Sequence, residues 1–136
     1  MPRKIIASAK YHVPVPGFTQ AVEAGPGGRM LFVSGLTARV ADGAIVGEGD
    51  IRVQARQVYE NLRLILAEAG ATLEDVVRTT TYLRRMEDQP IVHEVKLETF
   101  GEHPPASTTV QIVRLYDERQ LIEVEATAVL PSTGAG

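Results

Sequence analysis

The most regular alternation of hydrophobic and polar residues lies near the carboxyl end of the chain. In Leu121–Val129 (LIEVEATAV) every second residue is apolar, and Glu123 and Glu125 fall between the apolar positions. Because successive side chains of a strand point to opposite faces, this pattern predicts a strand with one core face and one acidic face. The preceding run, Ser107–Leu115, alternates less cleanly, and the polar loop Tyr116–Gln120 separates the two runs. The chain is therefore predicted to end in a pair of strands.

Two segments show the spacing of helices instead. From Ile51 to Ala69 the apolar residues recur every three or four positions, which predicts an amphipathic helix. Asp50 is expected to cap this helix, and Gly70 is expected to end it in a left-handed conformation. A shorter helix is predicted between Asp88, as its cap, and Gly101, because proline at position 90 is tolerated in a first turn.

Four further segments have the composition of strands. They are Lys4–Ser8, Phe18–Glu23, the strongly apolar Arg29–Ser34, and Val76–Leu83, which is rich in β-branched residues. The glycine-rich turn Ala24–Gly28 separates the second and third of these segments, so the two are predicted to form a hairpin.

The order of these elements predicts an α+β fold in a single domain that covers residues 1–136. A helix between two strands implies a crossover, so we expect one mixed six-stranded sheet that contains some parallel pairing. Two helices, each about 10 Å wide, cover only one face of such a sheet. The other face, with Glu123 and Glu125, is expected to be covered by further copies of the chain in a closed homo-oligomer.

Composition narrows the classes of function. The net charge is −3 with mixed signs along the chain, which argues against a nucleic-acid partner or a membrane surface. The chain has no cysteine, which excludes disulfides, thiolate nucleophiles and cysteine–zinc clusters, and the spacing of His12 and His103 predicts no metal site. The amino terminus does not resemble a secretory signal, and no apolar run approaches the roughly 20 residues of a membrane helix. We therefore expect a soluble, cytoplasmic protein.

Several motifs together resemble one known family. They are Ser34-Gly35 after an apolar strand, Gln54–Gln57 (QARQ) followed by Asn61, Asp75–Asp88 (DVVRTTTYLRRMED), and Val110–Leu115 (VQIVRL) followed by Ile122–Val129 (IEVEATAV). Each motif is unspecific by itself. In this order, and over nearly the whole chain, they resemble the RidA/YjgF family.

The resemblance implies a chorismate-mutase-like fold and a homotrimer whose sheets line a central barrel. Ligand pockets would then lie in the clefts between subunits. Many members of this family hydrolyse reactive imines and enamines to keto acids and ammonia, without a metal or an organic cofactor. The resemblance therefore implies a small-molecule ligand and no cofactor. Older descriptions of the family name endoribonucleases, but the acidic balance of this chain argues against RNA.

The resemblance also shows where this chain differs from active members. Those members carry Pro-Ala-Arg-Ser before the last strand pair, and the arginine binds the substrate carboxylate through two parallel donors. The matching residues here are Pro105–Thr108 (PAST), so Ser107 stands at the arginine position, and the loop Glu102–Pro104 is shorter. A hydroxyl donates one hydrogen bond but supplies no fixed charge. We expect Ser107 and its neighbour Thr108 to contact substrate, although both could be ordinary strand residues.

Three more site residues follow from the resemblance. Phe18 matches a pocket tyrosine and lacks its hydroxyl, and His93 matches a pocket asparagine on the second helix. Glu123 matches the glutamate that positions the attacking water, so it is the candidate catalytic residue. From the residues alone, a solvated or ion-paired strand glutamate is the simpler interpretation of Glu123, and a solvated helix histidine that of His93.

Two hypotheses of function remain. In the first, the protein is a hydrolase that deaminates an imine, an enamine or a related carbonyl derivative in the cleft, with Glu123 activating water. In the second, it is a small-metabolite-binding relative without chemistry, which the serine at position 107 favours.

Overall fold

The structure, a computed structural model, describes residues 3–6, 9, 21–25 and 27–132. Its helices and strands are β1 Arg3–Ile6, β2 Ala21–Ala24, β3 Arg29–Leu36, α1 Ile51–Glu68, β4 Val76–Leu83, α2 Gln89–Phe100, β5 Ala106–Gln111 and β6 Ile122–Leu130. The predicted helices and the strand at Val76–Leu83 are confirmed, the latter with the same bounds.

Strands β3 to β6 form one mixed sheet in the spatial order β3-β6-β4-β5. Strands β4 and β5 are parallel and joined by α2, whereas β6 runs antiparallel to both β3 and β4. This is the crossover arrangement that the alternation of strands and helices predicts. It places β5 at an edge of the sheet, beside α2.

The prediction of one six-stranded sheet is wrong for the described residues. Strands β1 and β2 pair with each other in a separate two-stranded sheet, and β3 pairs with β6. The predicted hairpin between the second and third strand segments is therefore not formed. Gly25, Gly27 and Gly28 all have positive φ, and three such residues within four positions make a wider connection than a tight hairpin turn.

The core lies between the two helices and one face of the four-stranded sheet, as predicted. Leu62 and Leu66 of α1, Val95 of α2, and Ile122 and Val124 of β6 are all at most 2% exposed and belong to one cluster. Burial of each leucine or isoleucine stabilises the fold by about 2 kcal/mol.

The opposite face of the sheet is uncovered in the single chain. On β3, Met30 and Phe32 are 59% and 72% exposed. Tyr82 on β4 and the two glutamates of β6, Glu123 and Glu125, share that face, because their register and alternation place them opposite the core positions.

The predicted capping residues are confirmed at α1, but the predicted cap of α2 is wrong. The side chain of Asp50 accepts a hydrogen bond from the amide of Val53 at 3.2 Å, and Gly70 has φ +77°. Asp88, in contrast, makes no side-chain capping bond. It ends a short 3-10 turn, Met86–Asp88, and its backbone is already helical, so its carboxylate is not placed for the amides that a cap satisfies.

Strand β5 is shorter than the predicted Ser107–Leu115. After Gln111 the amide of Ile112 donates to the carbonyl of Leu83, which is the last residue of β4. Beyond that point β5 has no partner strand, so the chain leaves the sheet and Arg114 is exposed.

Candidate functional site

A cavity of about 240 Å³ lies between α2 and β5, and we name it the α2–β5 cavity. It is lined by Gln89, Val92, His93 and Lys96 of α2, Ser107 and Thr109 of β5, and, from the core, Tyr59 and Thr81.

The periods of helix and strand explain why these side chains meet. Gln89, His93 and Lys96 are spaced by four and three residues, so they share one face of α2. Ser107 and Thr109 alternate along β5 and point toward the helices. The edge position of β5 leaves this side of the cavity without a further strand of the same chain.

Lys96 is the charged group of this cavity. Its Nζ donates a hydrogen bond to Oγ of Ser107 at 2.8 Å, and burial lowers the pKa of Lys96. Within the part of the chain that the structure describes, no carboxylate lies within ion-pair distance of it. An ammonium group has three donors, and one of them is used by Ser107. The cavity therefore contains a half-buried cation without a counter-ion.

Gln89 and Tyr59 also line this cavity. The Oε1 atom of Gln89 is buried and has no hydrogen-bond partner among the described residues. Tyr59 is hydrogen bonded to Thr81, its ring packs edge-on against Phe100 with 5.5 Å between centroids, and burial raises its pKa. Tyr59 is thus a fixed, neutral side of the cavity, and the acceptor capacity of Gln89 Oε1 is unsatisfied.

Of the residues predicted from sequence, the structure brings Ser107 and His93 together in this cavity. Thr108 lies on the opposite face of β5, where its Oγ1 accepts a hydrogen bond from Nη2 of Arg78 at 2.7 Å. Phe18 lies outside the described residues. The contact of these residues with substrate stays a prediction.

Glu123 lies on the uncovered face of the sheet, next to Gly35. A β-carbon placed on Gly35 would lie 2.5 Å from Oε2 of Glu123, so the carboxylate occupies the space of the missing side chain. Ser107 points to the helix face, and Glu123 to the other. The two residues consequently do not share a site within one chain.

Sequence reasoning missed Lys96 and Gln89. A signal for Lys96 was present, because it follows the predicted His93 by three residues and so lies on the same face of the helix. No comparable signal distinguished Gln89, whose buried, unpartnered oxygen only the packing reveals.

The QARQ motif with its asparagine holds loops in place. Oε1 of Gln54 accepts from the amide of Leu121 at 2.9 Å, and its Nε2 donates to the carbonyls of Arg119 and Gly47. Asn61 donates to the carbonyls of Thr37 and Arg39. Both side chains position the segments that flank the sheet and lie outside the α2–β5 cavity.

A larger cavity, of about 690 Å³, lies between the carboxyl ends of α1 and α2. It contains none of the predicted site residues. Glu98 pairs with Arg56 at 3.4 Å, Arg63 pairs with Glu60, His103 lies 3.7 Å from Glu74, and Glu102 is exposed to solvent. We therefore place the candidate site in the smaller cavity, where a half-buried charge is uncompensated.

The described residues contain no group of three histidine, aspartate or glutamate side chains that could hold a metal ion. In the same part of the chain, no helix is both long enough and apolar enough to cross a membrane.

Comparison with known proteins decides the family. The sequence profile of the family described as Endoribonuclease L-PSP matches residues 10–130, nearly the whole chain. The chain belongs to the RidA/YjgF/L-PSP family. The fold of this RidA-family chain is accordingly the α+β, chorismate-mutase-like fold, with two helices and a mixed sheet in which four strands are seen.

Individual RidA-family proteins are similar over almost their full length. A RutC family protein of Pyrococcus abyssi is 38% identical, and the match covers 94% of this chain and 98% of the relative. The 3-aminoacrylate deaminase RutC of Acinetobacter baylyi is 33% identical, with the same coverage of both chains. The solved structure of YyfB from Yersinia pestis, a Rid family protein of unknown function, has a TM-score of 0.86 and 36% identity, and covers 96% of this chain and 100% of that one.

Proposed function

We propose that this protein is a hydrolase that deaminates small imine or enamine metabolites in the clefts between subunits of a homotrimer. The observation that carries the proposal is the α2–β5 cavity, where Lys96 and Ser107 present hydrogen-bond donors. Membership of the RidA family and similarity to a protein named as a 3-aminoacrylate deaminase support the type of chemistry.

A homotrimer is proposed because the sheet has an apolar, uncovered face. Phe32 and Met30 expose large apolar surfaces there, which soluble proteins usually cover. Packing of that face against other copies would also bring Glu123 of one chain toward the cavity of a neighbour. Sedimentation at three times the mass of the chain is the expected result, and a stable monomer at micromolar concentration would contradict it.

The reaction is an addition followed by an elimination. An enamine first takes up a proton on carbon to become the iminium ion. Water, losing a proton to the Glu123 carboxylate, adds to the iminium carbon, and the resulting amino alcohol expels ammonia as its hydroxyl becomes a carbonyl. One water is consumed, and one keto product and one ammonia are formed. A carboxylate that removes the proton of water in the transition state accelerates such a step about 10²- to 10⁴-fold.

The test uses 2-iminobutanoate, generated in situ by an amino-acid oxidase, with ammonia release measured against a buffer control. We expect release above the control, and loss of that excess in Glu123→Gln. No excess over the buffer control on this imine, or on an uncharged imine, would contradict the proposed hydrolase.

The second candidate function is that of a metabolite-binding protein without catalysis. The serine at position 107, where active relatives are expected to carry arginine, favours it. Thermal unfolding against a panel of keto acids and related metabolites tests this alternative. A protein that is stabilised by members of the panel but releases no ammonia fits the second function rather than the first.

A further inference from the structure

Lys96 combines partial burial with a neutral hydrogen-bond partner, unlike the ion-paired arginines of α1 and of the loop before β6. Arg52, Arg56 and Arg63 each pair with a glutamate on or between the helices, and Arg119 pairs with Asp117. Lys96 is more buried than these side chains, yet its one hydrogen bond goes to the hydroxyl of Ser107. A cation that is partly removed from water and left without a counter-ion is unfavourable, so the cavity favours the arrival of an anion.

The size and layout of the cavity limit the ligand further. A volume of 240 Å³ equals the volume of about eight liquid water molecules, which suits an acid of roughly three to five carbons. His93 lies three residues before Lys96 on the same face of α2 and also lines the cavity. A small ligand that contacts Lys96 would thus lie beside His93.

We infer that Lys96 is the specificity-determining residue of this site, selecting small carboxylic acids whose carboxylate it binds. This inference deepens the proposed function and rests on it, because it names the residue of this chain that would bind the substrate carboxylate in place of the arginine expected in active relatives. It also gives a reason why serine is compatible with position 107, since the Ser107 hydroxyl accepts from Lys96 and holds the ammonium group in the cavity.

The test measures binding of stable acids by calorimetric titration, without turnover. The probes are 2-oxobutanoate and its uncharged amide, compared in the wild type, Lys96→Met and Lys96→Arg. We expect the wild type to bind the acid at least tenfold more tightly than the amide. In Lys96→Met this preference should be lost, because the affinity for the acid falls while the affinity for the amide does not change. Lys96→Arg should retain most of the preference. Lys4→Met is the matched control, because it removes the same charge from an exposed position.

Thermal unfolding of each variant checks that it is folded, and methionine at position 96 is expected to preserve the fold because its apolar stem fills the same space.

These results separate the inference from the proposed function. Equal affinity of the wild type and Lys96→Met for the acid would overturn the inference, even if ammonia release were robust. Equal wild-type affinity for acid and amide, or no binding of either, would overturn it as well. Binding of the acid that depends on Lys96, without ammonia release, would overturn the hydrolase and retain Lys96 as the carboxylate-binding residue.

Discussion

Because Gly35 has no side chain, it leaves room for the carboxylate of Glu123. The carboxylate of Glu123 lies where a β-carbon of residue 35 would be, at 2.5 Å from that position. The clash would involve the end of a flexible side chain and no backbone, so alanine at position 35 is expected to displace the carboxylate without unfolding the sheet. The carboxylate of Glu123 can therefore keep its present position only if residue 35 has no β-carbon.

This geometry predicts a paired effect on catalysis. Gly35→Ala and Glu123→Gln should both lower kcat for deamination, the latter by about 100-fold, because each removes the carboxylate from its place beside the water. The change in melting temperature for Gly35→Ala should stay within a few degrees. Steady-state ammonia release and thermal unfolding measure the two effects.

Glu125 supplies the control for this pair. It lies two residues from Glu123 on the same strand face, but it accepts a hydrogen bond from the hydroxyl of Tyr82. Glu125→Gln should leave kcat close to that of the wild type. A Gly35→Ala protein with full activity would show that Glu123 does not need its present position.

The site could be predicted from sequence only where a residue type or a resemblance marked the position. Ser107 and His93 were predicted separately, and the structure places both on one cavity. Lys96 was overlooked because the helix was interpreted through its apolar residues, and a lysine on a short helix is usually solvated. Its burial follows from the approach of β5 to α2, which no local pattern encodes.

Among the elements of the fold, α1 is joined to the loop before β6 by the buried side chain of Gln54. Gln54 is fully buried and bonds to the amide of Leu121 and to the carbonyls of Arg119 and Gly47. Gln54→Leu leaves these backbone groups without partners. We expect the free energy of unfolding to fall by about 3 kcal/mol, measured by urea denaturation, since each unsatisfied buried group costs about 1 to 3 kcal/mol.

Gln57 is the matched control on the same helix. Its Nε2 atom donates to Asn61 within α1, so Gln57→Leu removes one side-chain bond and leaves no backbone group of the loop unpaired. Its effect should be below about 1 kcal/mol. Equal destabilisation by the two leucine variants would mean that the loop is held by something other than Gln54.

The loop that follows β5 contains a carboxylate with a perturbed pKa. Arg119 donates to Asp117 through its guanidinium and its amide, Arg39 lies 3.5 Å away, and these contacts hold the pKa of Asp117 below its usual range. Because folding lowers this pKa, the interaction stabilises the folded protein above the unfolded value of about 3.9. The stabilisation is lost as the pH falls through the lower folded-state pKa.

The expected measurement is a carbon NMR titration of the Asp117 carboxyl group. Its midpoint should lie well below pH 3.9 in the wild type and should rise in Arg119→Gln. Arg114→Gln, which removes an exposed arginine three residues before Asp117, should leave the midpoint unchanged. A wild-type midpoint near the ordinary value would show that the ion pair does not persist in solution.

The elements themselves were more predictable than their partners. Local periodicity located α1, α2 and β4, because helix and strand repeats depend on neighbouring residues. The pairing of β3 with β6 joins segments about 100 residues apart, and the glycine-rich turn before β3 suggested a hairpin instead. The end of β5 likewise depends on where β4 ends, which is information from another part of the chain.

At the level of the whole molecule, the two candidate chemical groups lie on opposite faces of one sheet. Lys96 reaches Ser107 on the helix side, and Glu123 lies beside Gly35 on the uncovered side. No rotation of a side chain brings groups on opposite faces of a sheet together. If both act on one substrate, they must come from different subunits, and each cleft of the proposed trimer must combine the cavity of one chain with the carboxylate of its neighbour.

A mixing experiment tests this arrangement. Lys96→Met and Glu123→Gln homotrimers should each have low activity, and unfolding them together in equal amounts, followed by refolding, gives mixed trimers. Random assembly makes about one quarter of the clefts with both residues intact, since each cleft takes one residue from each of two neighbours. The mixture should therefore recover about one quarter of wild-type ammonia release.

The quarter recovery is specific to a shared site. A site within one chain would be damaged in every subunit of the mixture, so no recovery would follow. A control mixture of Glu123→Gln with the Lys96→Met, Glu123→Gln double variant has no intact cleft and should stay inactive. If the mixture of Lys96→Met and Glu123→Gln is no more active than the mean of the two homotrimers, the clefts do not combine residues from two subunits. Because Glu123 and Lys96 lie on opposite faces of the sheet in one chain, they could then not act on the same substrate.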